Sequence, residues 1–244
     1  MNPIVLIPAR MAASRLPGKP LADIEGTSMI LRVLRQAELA GIGPVVVAAG
    51  DPEIAWAVEV AGGTAVLTDP ELASGSDRIL AALAVVDPEA NHDVVINLQG
   101  DMPFISPDVL GDCVDLLAGA NCDIATLIAP EASPADRSNP DVVKAIVALA
   151  PGESAGRALY FTRSTLWGEG PVWKHVGIYG YRRAALDLFA AAPPSPLERR
   201  EKLEQLRALE MGLSLWAAVV DETPISVDTP ADLEAARAFA RSQA

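Results

Sequence analysis

Arg10, Arg15 and Lys19 form the pattern R-x4-R-x3-K in the segment Pro8–Pro20, directly after the β-branched run Ile4–Ile7. The first 22 residues contain no Asp or Glu, although the whole chain carries a formal net charge of −13. An acidic protein that binds an anion needs one local positive site, and this loop supplies much of it. Its small residues, among them Ala12, Ala13, Ser14 and Gly18, let a triphosphate approach the backbone amides while the three cations neutralise its charge. The loop is not a Walker A motif, because position 13 is Ala and Lys19 is followed by Pro20 rather than Ser or Thr. Nor is it a dinucleotide fingerprint, since the nearest partial match, Gly41-Ile42-Gly43, precedes a strand-like run instead of following one. A merely solvated basic loop would not account for three cations beside the end of a first strand.

Two aspartates stand in comparable places. Val94–Asn97 runs through Leu98-Gln99-Gly100 into Asp101, and Ile225-Ser226-Val227 runs into Asp228. Carboxylates are the hard oxygen ligands that Mg²⁺ takes, one or two at a time, with phosphate oxygens completing the shell. Helix capping is the alternative role, and the spacing argues against it. Pro230 suits a first helical position, which makes Thr229 the cap and Asp232 its capping-box partner, leaving Asp228 outside. Ser106, not Asp101, precedes Pro107 in the same way.

These groups need elements to hold them. Strands are predicted at Ile4–Ile7, Val45–Ala48, Thr64–Leu67 and Val94–Asn97, with helices around Met29–Ala40, Pro52–Ala61 and Asp77–Val86 between them. Continuous apolar strands alternating with helices predict a parallel sheet covered on both faces, which binds ligands beyond the carboxyl ends of its strands. Further on, the pattern loosens. Strands at Asp123–Ile128, Val142–Val147 and His175–Arg182 flank an irregular stretch, and Pro193-Pro194-Ser195-Pro196 precedes a helix from about Glu198 to Glu210. A last strand, Ile225–Val227, leads into a helix from Pro230. The expectation is one α/β domain over residues 1–244, with a smaller lobe inserted at about 123–200.

Composition narrows the partners. The net charge of −13 argues against nucleic acid and anionic membranes. No apolar run approaches bilayer length, and the start of the chain lacks a signal-peptide pattern, so a cytoplasmic protein is expected. Two cysteines, Cys113 and Cys122, and two histidines, His92 and His175, offer neither a disulfide framework nor a zinc spacing.

Taken in order, these residues resemble the 3-deoxy-manno-octulosonate cytidylyltransferases, the CMP-Kdo synthetases of lipopolysaccharide biosynthesis. The resemblance covers nearly the whole chain. It runs through Ile7-Pro8-Ala9-Arg10, Ser14–Pro20, Ser74-Gly75-Ser76-Asp77-Arg78, Gln99-Gly100-Asp101, Asn139-Pro140, Val143-Lys144 and Leu159–Arg163. It continues through His175-Val176-Gly177-Ile178-Tyr179-Gly180-Tyr181, Ser195–Glu198, Leu203-Glu204-Gln205-Leu206-Arg207 and Val227–Pro230. The first-loop and Gln-Gly-Asp elements are shared by sugar nucleotidyltransferases in general. The His-x-Gly-Ile-Tyr-Gly-Tyr and Leu-Glu-Gln-Leu-Arg blocks are more specific.

The resemblance implies a Rossmann-like nucleotidyltransferase fold, with a mostly parallel sheet and an inserted lobe for sugar binding and dimerisation. It implies transfer of CMP from CTP to Kdo, with Arg10, Arg15 and Lys19 on the triphosphate and Asp101 and Asp228 holding Mg²⁺. It assigns Ser74, Gly75 and Arg78 to the nucleotide, and Gln99, Arg163, His175, Tyr179, Glu204 and Gln205 to the sugar. By spacing alone Tyr179 is as readily a core residue, and Glu204 pairs with Arg200 on a helix surface. A homodimer is also implied. Cytidylyl transfer to an 8-amino analogue of Kdo or to sialic acid is the neighbouring reading. The chain departs from the family at Met102, where Glu is common, and at Gly50, where many members have Thr. The stretch between Arg163 and His175 is also short.

Overall fold

The four apolar runs of the first half are strands in the computed structural model, which describes residues 1–13, 15–131, 133–221 and 223–243. Ser14 of the first-loop motif lies outside the described residues. The chain divides into two units, Met1–Gly111 with Pro224–Ala244, and Asp112–Thr223. The lobe expected at about 123–200 falls inside the second.

In the first unit, β1 (Pro3–Ala9) leads through the cationic loop to the small hairpin β2 (Asp23–Ile24) and β3 (Thr27–Ser28). Its turn residues Glu25 and Gly26 both have positive φ, 47° and 77°, as a type I′ turn requires. Then come α1 (Met29–Leu39), β4 (Val45–Ala49), α2 (Pro52–Val60), β5 (Thr64–Leu67), α3 (Gly75–Val86) and β6 (Val94–Asn97). The strands lie in the order β5-β4-β1-β6, all parallel. The chain therefore winds outward from β1 to β5 and then crosses back to β6, so the winding reverses between β1 and β6. Such a reversal opens a crevice at the carboxyl ends of the two strands. Val5, Leu6, Ile7, Val95 and Ile96 are fully buried, and α1 packs on β1 and β4 with the stripe Met29, Ile30, Val33, Leu34 and Ala37 buried.

In the second unit, α4 (Asp108–Gly119) spans the sequence boundary, and β7 (Ile124–Pro130), β8 (Lys144–Ala148), β9 (Ala155–Thr162) and β10 (Trp173–Arg182) follow. After them come α5 (Arg183–Ala191), α6 (Pro196–Glu201), α7 (Gln205–Glu210) and β11 (Leu215–Val219). The order here is β10-β7-β11-β9-β8. Only β7 and β11 run parallel; β10 with β7 and β8, β11 with β9, and β8 with β9 are antiparallel. A mostly parallel sheet is thus true of the first unit and not of the second, where short connections such as that between β8 and β9 return the chain directly. Among the described residues no helix is long and apolar enough to cross a membrane.

Three expectations need correction. Ile225–Val227 is not a strand. Val227 makes one ladder-like bond, its N–H to Asp101 O at 2.9 Å, and buries its side chain among Ile24, Met29, Leu233 and Ala236. The expected helix from Glu198 to Glu210 is two helices, α6 and α7, because Lys202 adopts the left-handed conformation, φ 56°. That break cancels the i,i+4 relation: Arg200 meets Glu201, and Glu204 meets Arg207. Third, the pattern did not reveal β9, β11 or α5. α8 (Pro230–Ser242) is as expected, with Thr229 and Asp232 in a capping box.

Candidate functional site

The cationic loop leaves β1 at the winding reversal and is held at both ends. Asp51 Oδ2 accepts from the N–H of Met11 at 2.7 Å, which fixes the backbone beside Arg10. At the far end Gly18 takes φ 72°, where a side chain would be strained, and the chain closes into a 3-10 turn, Lys19–Leu21, with Pro20 buried. Leu16, Ala22 and Phe104 then pack on the cluster containing Val227 and Leu233, so one apolar cluster seats the cationic loop and the segments carrying Asp101 and Asp228.

The result is a convergence of charge. Lys19 Nζ donates to Asp101 Oδ2 at 2.8 Å and to Asp228 Oδ1 at 3.0 Å. Arg15 Nη2 lies 3.1 Å from Asp228 Oδ2. Burial raises the pKa of Asp101, and Lys19 opposes that shift without cancelling it. Burial lowers that of Lys19, but the two carboxylates outweigh it and the ammonium is held above its ordinary value. These groups line a cleft of about 340 Å³ together with Arg10, Ser74, Gly75, Arg78 and Gln99. Every cleft-side residue expected from the sequence is therefore on one cleft of the first unit.

The cleft's donor set suits a hard divalent ion. Oxygens from two carboxylates converge on one point, and a cation, the Lys19 ammonium, already sits there. The nearby Asp232 carboxylate is committed to the N–H groups of Asp228 and Thr229 and to the Thr229 hydroxyl. Among the described residues no group of three or more His, Cys, Asp or Glu is placed to hold a metal. Two carboxylates completed by phosphate oxygens is the Mg²⁺ pattern. Met102, where the family commonly has Glu, is buried, 7% exposed, and is not among the residues lining the cleft.

Ser74 and Arg78 do more than line the cleft. Ser74 caps α3, its Oγ accepting from Asp77 N–H at 3.0 Å and donating to Asp77 Oδ2 at 2.9 Å. Arg78 is 2% exposed and gives its guanidinium to Thr68 Oγ1, Asp69 O and Pro70 O. Gly50 makes room for it, since a Cβ there would lie 2.7 Å from Arg78 Nη1. Gln99 donates to Asn97 Oδ1 at 3.3 Å.

The remaining expected residues, Arg163, His175, Tyr179, Glu204 and Gln205, lie in the second unit. There β10 carries a bulge: Val176 pairs with Leu127 and Tyr179 with the next residue, Thr126, leaving Gly177 and Ile178 extra. Thr126, fully buried, accounts for the bulge. Its single hydroxyl proton goes to Ile178 O at 2.8 Å, so the 3.0 Å contact to His175 Nε2 is donated by the ring. This assigns the proton to Nε2 and leaves Nδ1 with its lone pair. Desolvation pushes the His175 pKa down to about 3, so the ring is neutral near pH 7. Phe161, His175, Tyr179 and Tyr181 form a row of rings with successive centroids 5.0, 5.4 and 5.8 Å apart. Burial, with Tyr181 and Glu204 adding to it, raises the Tyr179 phenol well above its ordinary value.

Glu204 Oε1 accepts from Arg207 Nη2 at 3.2 Å. Arg207, 7% exposed, also grips Glu198 with two bonds at 2.8 and 2.9 Å and donates to Phe189 O and Ala192 O. Gln205 is 7% exposed, and its Nε2 has no hydrogen-bond partner among the described residues. Arg163 Nη1 donates to Pro140 O at 3.1 Å, and the loop is tied again by buried Lys144, whose ammonium meets Asn139 O and Arg163 O. Sequence reasoning had not given roles to Asp51, Thr126, Lys144 or Arg207. The last two were visible within resemblance blocks; Thr126 carried no signal.

The family model described as Cytidylyltransferase matches residues 4–215. A 3-deoxy-manno-octulosonate cytidylyltransferase of Parvibaculum lavamentivorans is 58% identical over 97% of this chain and 92% of its own. One from Methylobacterium radiotolerans is 58% identical over 98% and 96%. The solved structure of a CMP:2-keto-3-deoxy-manno-octonic acid synthetase complexed with CTP is 37% identical, covers 100% of both chains and superposes with a TM-score of 0.90. A cytidylyltransferase structure from Leptospira borgpetersenii, 17% identical with a TM-score of 0.65 over 99% of this chain and 87% of its own, shares the fold.

Proposed function

This chain belongs to the 3-deoxy-manno-octulosonate cytidylyltransferase family, and on that premise we propose how its residues carry out the reaction. It transfers CMP from CTP to the anomeric hydroxyl of Kdo, giving CMP-Kdo and pyrophosphate for lipopolysaccharide biosynthesis. The observation that carries the reading is the cleft at the winding reversal, where three loop cations and two aspartates line one volume of about 340 Å³.

Phosphoryl transfer asks a protein mainly to position reactants and to stabilise charge on the transferring and departing oxygens. Arg10 and Arg15 bind the triphosphate, Lys19 neutralises its non-bridging oxygens, and Arg15 or Lys19 follows the charge onto the leaving pyrophosphate. At the amino end of α3, Gly75 presents its backbone to the nucleotide beside Ser74, whose own N–H is taken by Asp77 Oδ2, and Arg78 keeps that loop in place from behind. Asp101 and Asp228 would hold Mg²⁺, which when bound supplies charge neutralisation to the phosphates and an acidic environment for the attacking hydroxyl.

The sugar acid is read by different chemistry. Arg163 is the cation of the set and suits the carboxylate of Kdo, its Nε and Nη2 making no hydrogen bond among the described residues. Neutral His175 offers an acceptor at Nδ1, protonated Tyr179 a donor, Glu204 an acceptor and Gln205 Nε2 a donor without a partner among the described residues. Gln99, which lines the first unit's cleft, is also assigned to the sugar. The reading includes a homodimer built through the second unit, supported by Leu159 and Trp167, 53% and 90% exposed there, and a cytoplasmic location, where CTP is made.

The test is pyrophosphate release with Mg²⁺, Kdo and each of the four ribonucleoside triphosphates. Release with CTP and Kdo together, and with neither alone, is expected. Release only when Kdo is replaced by its 8-amino analogue or by sialic acid would move the specificity, and no release with any pair would overturn the function.

A further inference from the structure

Lys19 does two incompatible things. As a triphosphate ligand it must point its ammonium at phosphate, yet that ammonium bridges Asp101 Oδ2 at 2.8 Å and Asp228 Oδ1 at 3.0 Å, the point a metal would take. Its side chain is 16% exposed and that of Asp101 20%, so the contact is not a loosely solvated surface pair. Arg15 holds the other oxygen of Asp228 at 3.1 Å, whereas Arg10, the third loop cation, makes no ion pair with either aspartate among the described residues.

We propose that Lys19 closes the Asp101–Asp228 site to a metal ion arriving alone, so that metal and triphosphate are taken up together. The inference rests on the reading of Asp101 and Asp228 as the metal ligands. The reason is charge balance. Two carboxylates and two cations, Lys19 and Arg15, already neutralise one another. A divalent ion coming alone must expel the ammonium from both carboxylates and then stand beside it in a half-buried cleft, where like charges repel strongly. A triphosphate coming alone meets the carboxylates. When both arrive, the metal takes the carboxylates and Lys19 swings to the phosphates, so every charge keeps a partner. Lys19 can make that exchange by side-chain rotation alone, because Gly18 and buried Pro20 fix its backbone in the 3-10 turn. The two ligands are then coupled through one residue, and each raises the affinity for the other by the same factor.

Mn²⁺, which takes the same hard oxygen donors, reports binding directly by electron paramagnetic resonance on the nucleotide-free protein. Lys19→Met should bind Mn²⁺ at least about tenfold more tightly than the wild type, and Lys19→Met/Asp101→Asn should lose that gain. Arg10→Met removes the same charge from the same loop without freeing either aspartate, and should change Mn²⁺ affinity by no more than about threefold. An equal gain in Arg10→Met and Lys19→Met would overturn the inference, since mere charge removal would explain both. No gain in Lys19→Met, with Asp101→Asn still weakening Mn²⁺ binding when CTP is present, would overturn the role of Lys19 and leave the metal site standing. If neither Asp101→Asn nor Asp228→Asn altered Mn²⁺ binding with CTP, the metal reading would fall and take the inference with it.

Discussion

Under the proposed function, the two units solve opposite recognition problems. In the first, the functional groups are charged and paired with one another: Lys19 and Arg15 with Asp101 and Asp228. In the second they are mostly uncharged and desolvated: His175 deprotonated, Tyr179 protonated, and Gln205 Nε2 buried without a hydrogen-bond partner among the described residues. A polyphosphate can be held by net charge that exchanges partners. A polyhydroxylated sugar acid presents many hydroxyls of similar energy, and fixed donors and acceptors tell them apart because an unmatched buried group costs free energy. Of the second unit's two charged functional groups, Glu204 is fixed in place by Arg207, and Arg163 is tied through Nη1 to Pro140 O.

Removing charge from the first unit should have the largest effect. Asp101→Asn or Asp228→Asn should lower kcat by about a thousandfold or more, in keeping with the loss of a principal electrostatic group, while circular dichroism shows an intact fold. Rates near wild type in both would remove the charge side of the comparison.

On the second unit the effect should be smaller and confined to one substrate. Gln205→Leu deletes a buried donor that no described residue satisfies, so the fold should keep its stability or gain some. The KM for Kdo should rise about tenfold, the scale of one hydrogen bond, with the KM for CTP unchanged. A loss of stability with no change in the KM for Kdo would show that the amide serves the fold.

Acid stability sharpens the contrast further. The unfolded chain protonates His175 below about pH 6.5, whereas the folded chain resists protonation down to about 3. A histidine with a lowered pKa adds stability that is fully present above the unfolded value and is lost as pH falls through that window. Urea unfolding at pH 7.5 and 5 should show wild type losing more stability than His175→Asn, with a difference in slope approaching one proton. Identical slopes would mean the ring is not desolvated.

The smallest effect should come from behind the cleft. Gly50→Ala places a methyl against the Arg78 guanidinium and should cost about 1 kcal/mol, the lower end for overpacking, with Tm falling and the KM for Kdo unchanged. A raised KM for CTP alongside would show that the Arg78 loop transmits strain to the nucleotide side.

How far the sequence could be read differed between the units for the same physical reason. In the first, the four strands of the parallel sheet are short, largely apolar runs, α3 and α8 open on capping boxes, and the ligand crevice follows from the order of elements. Thr229 and Asp232 were legible as a capping box, and that freed Asp228 for another role. In the second, strand pairing is non-local and antiparallel, β9 carries exposed Leu159 and Arg157 among its buried residues, and Lys202 breaks a helix in a conformation no periodicity announces. Ile225–Val227 misled because a short β-branched run buries equally well as an anchor or as a strand.

What the sequence alone determined was the inventory: a cationic loop after the first strand, aspartates past two apolar runs, and the blocks that mark the family. These are local facts, set by residue type, spacing and caps. The tertiary structure decided which of those groups meet. Lys19 reaches Asp101 across 82 residues of chain and Asp228 across 209, and whether its ammonium faces carboxylate or phosphate is a matter of a few ångströms in folded space. Thr126 reading His175 across a bulge is the same kind of fact. Side-chain charge and hydrogen-bonding capacity are written residue by residue, but partnership depends on distance, and only the packed chain sets that.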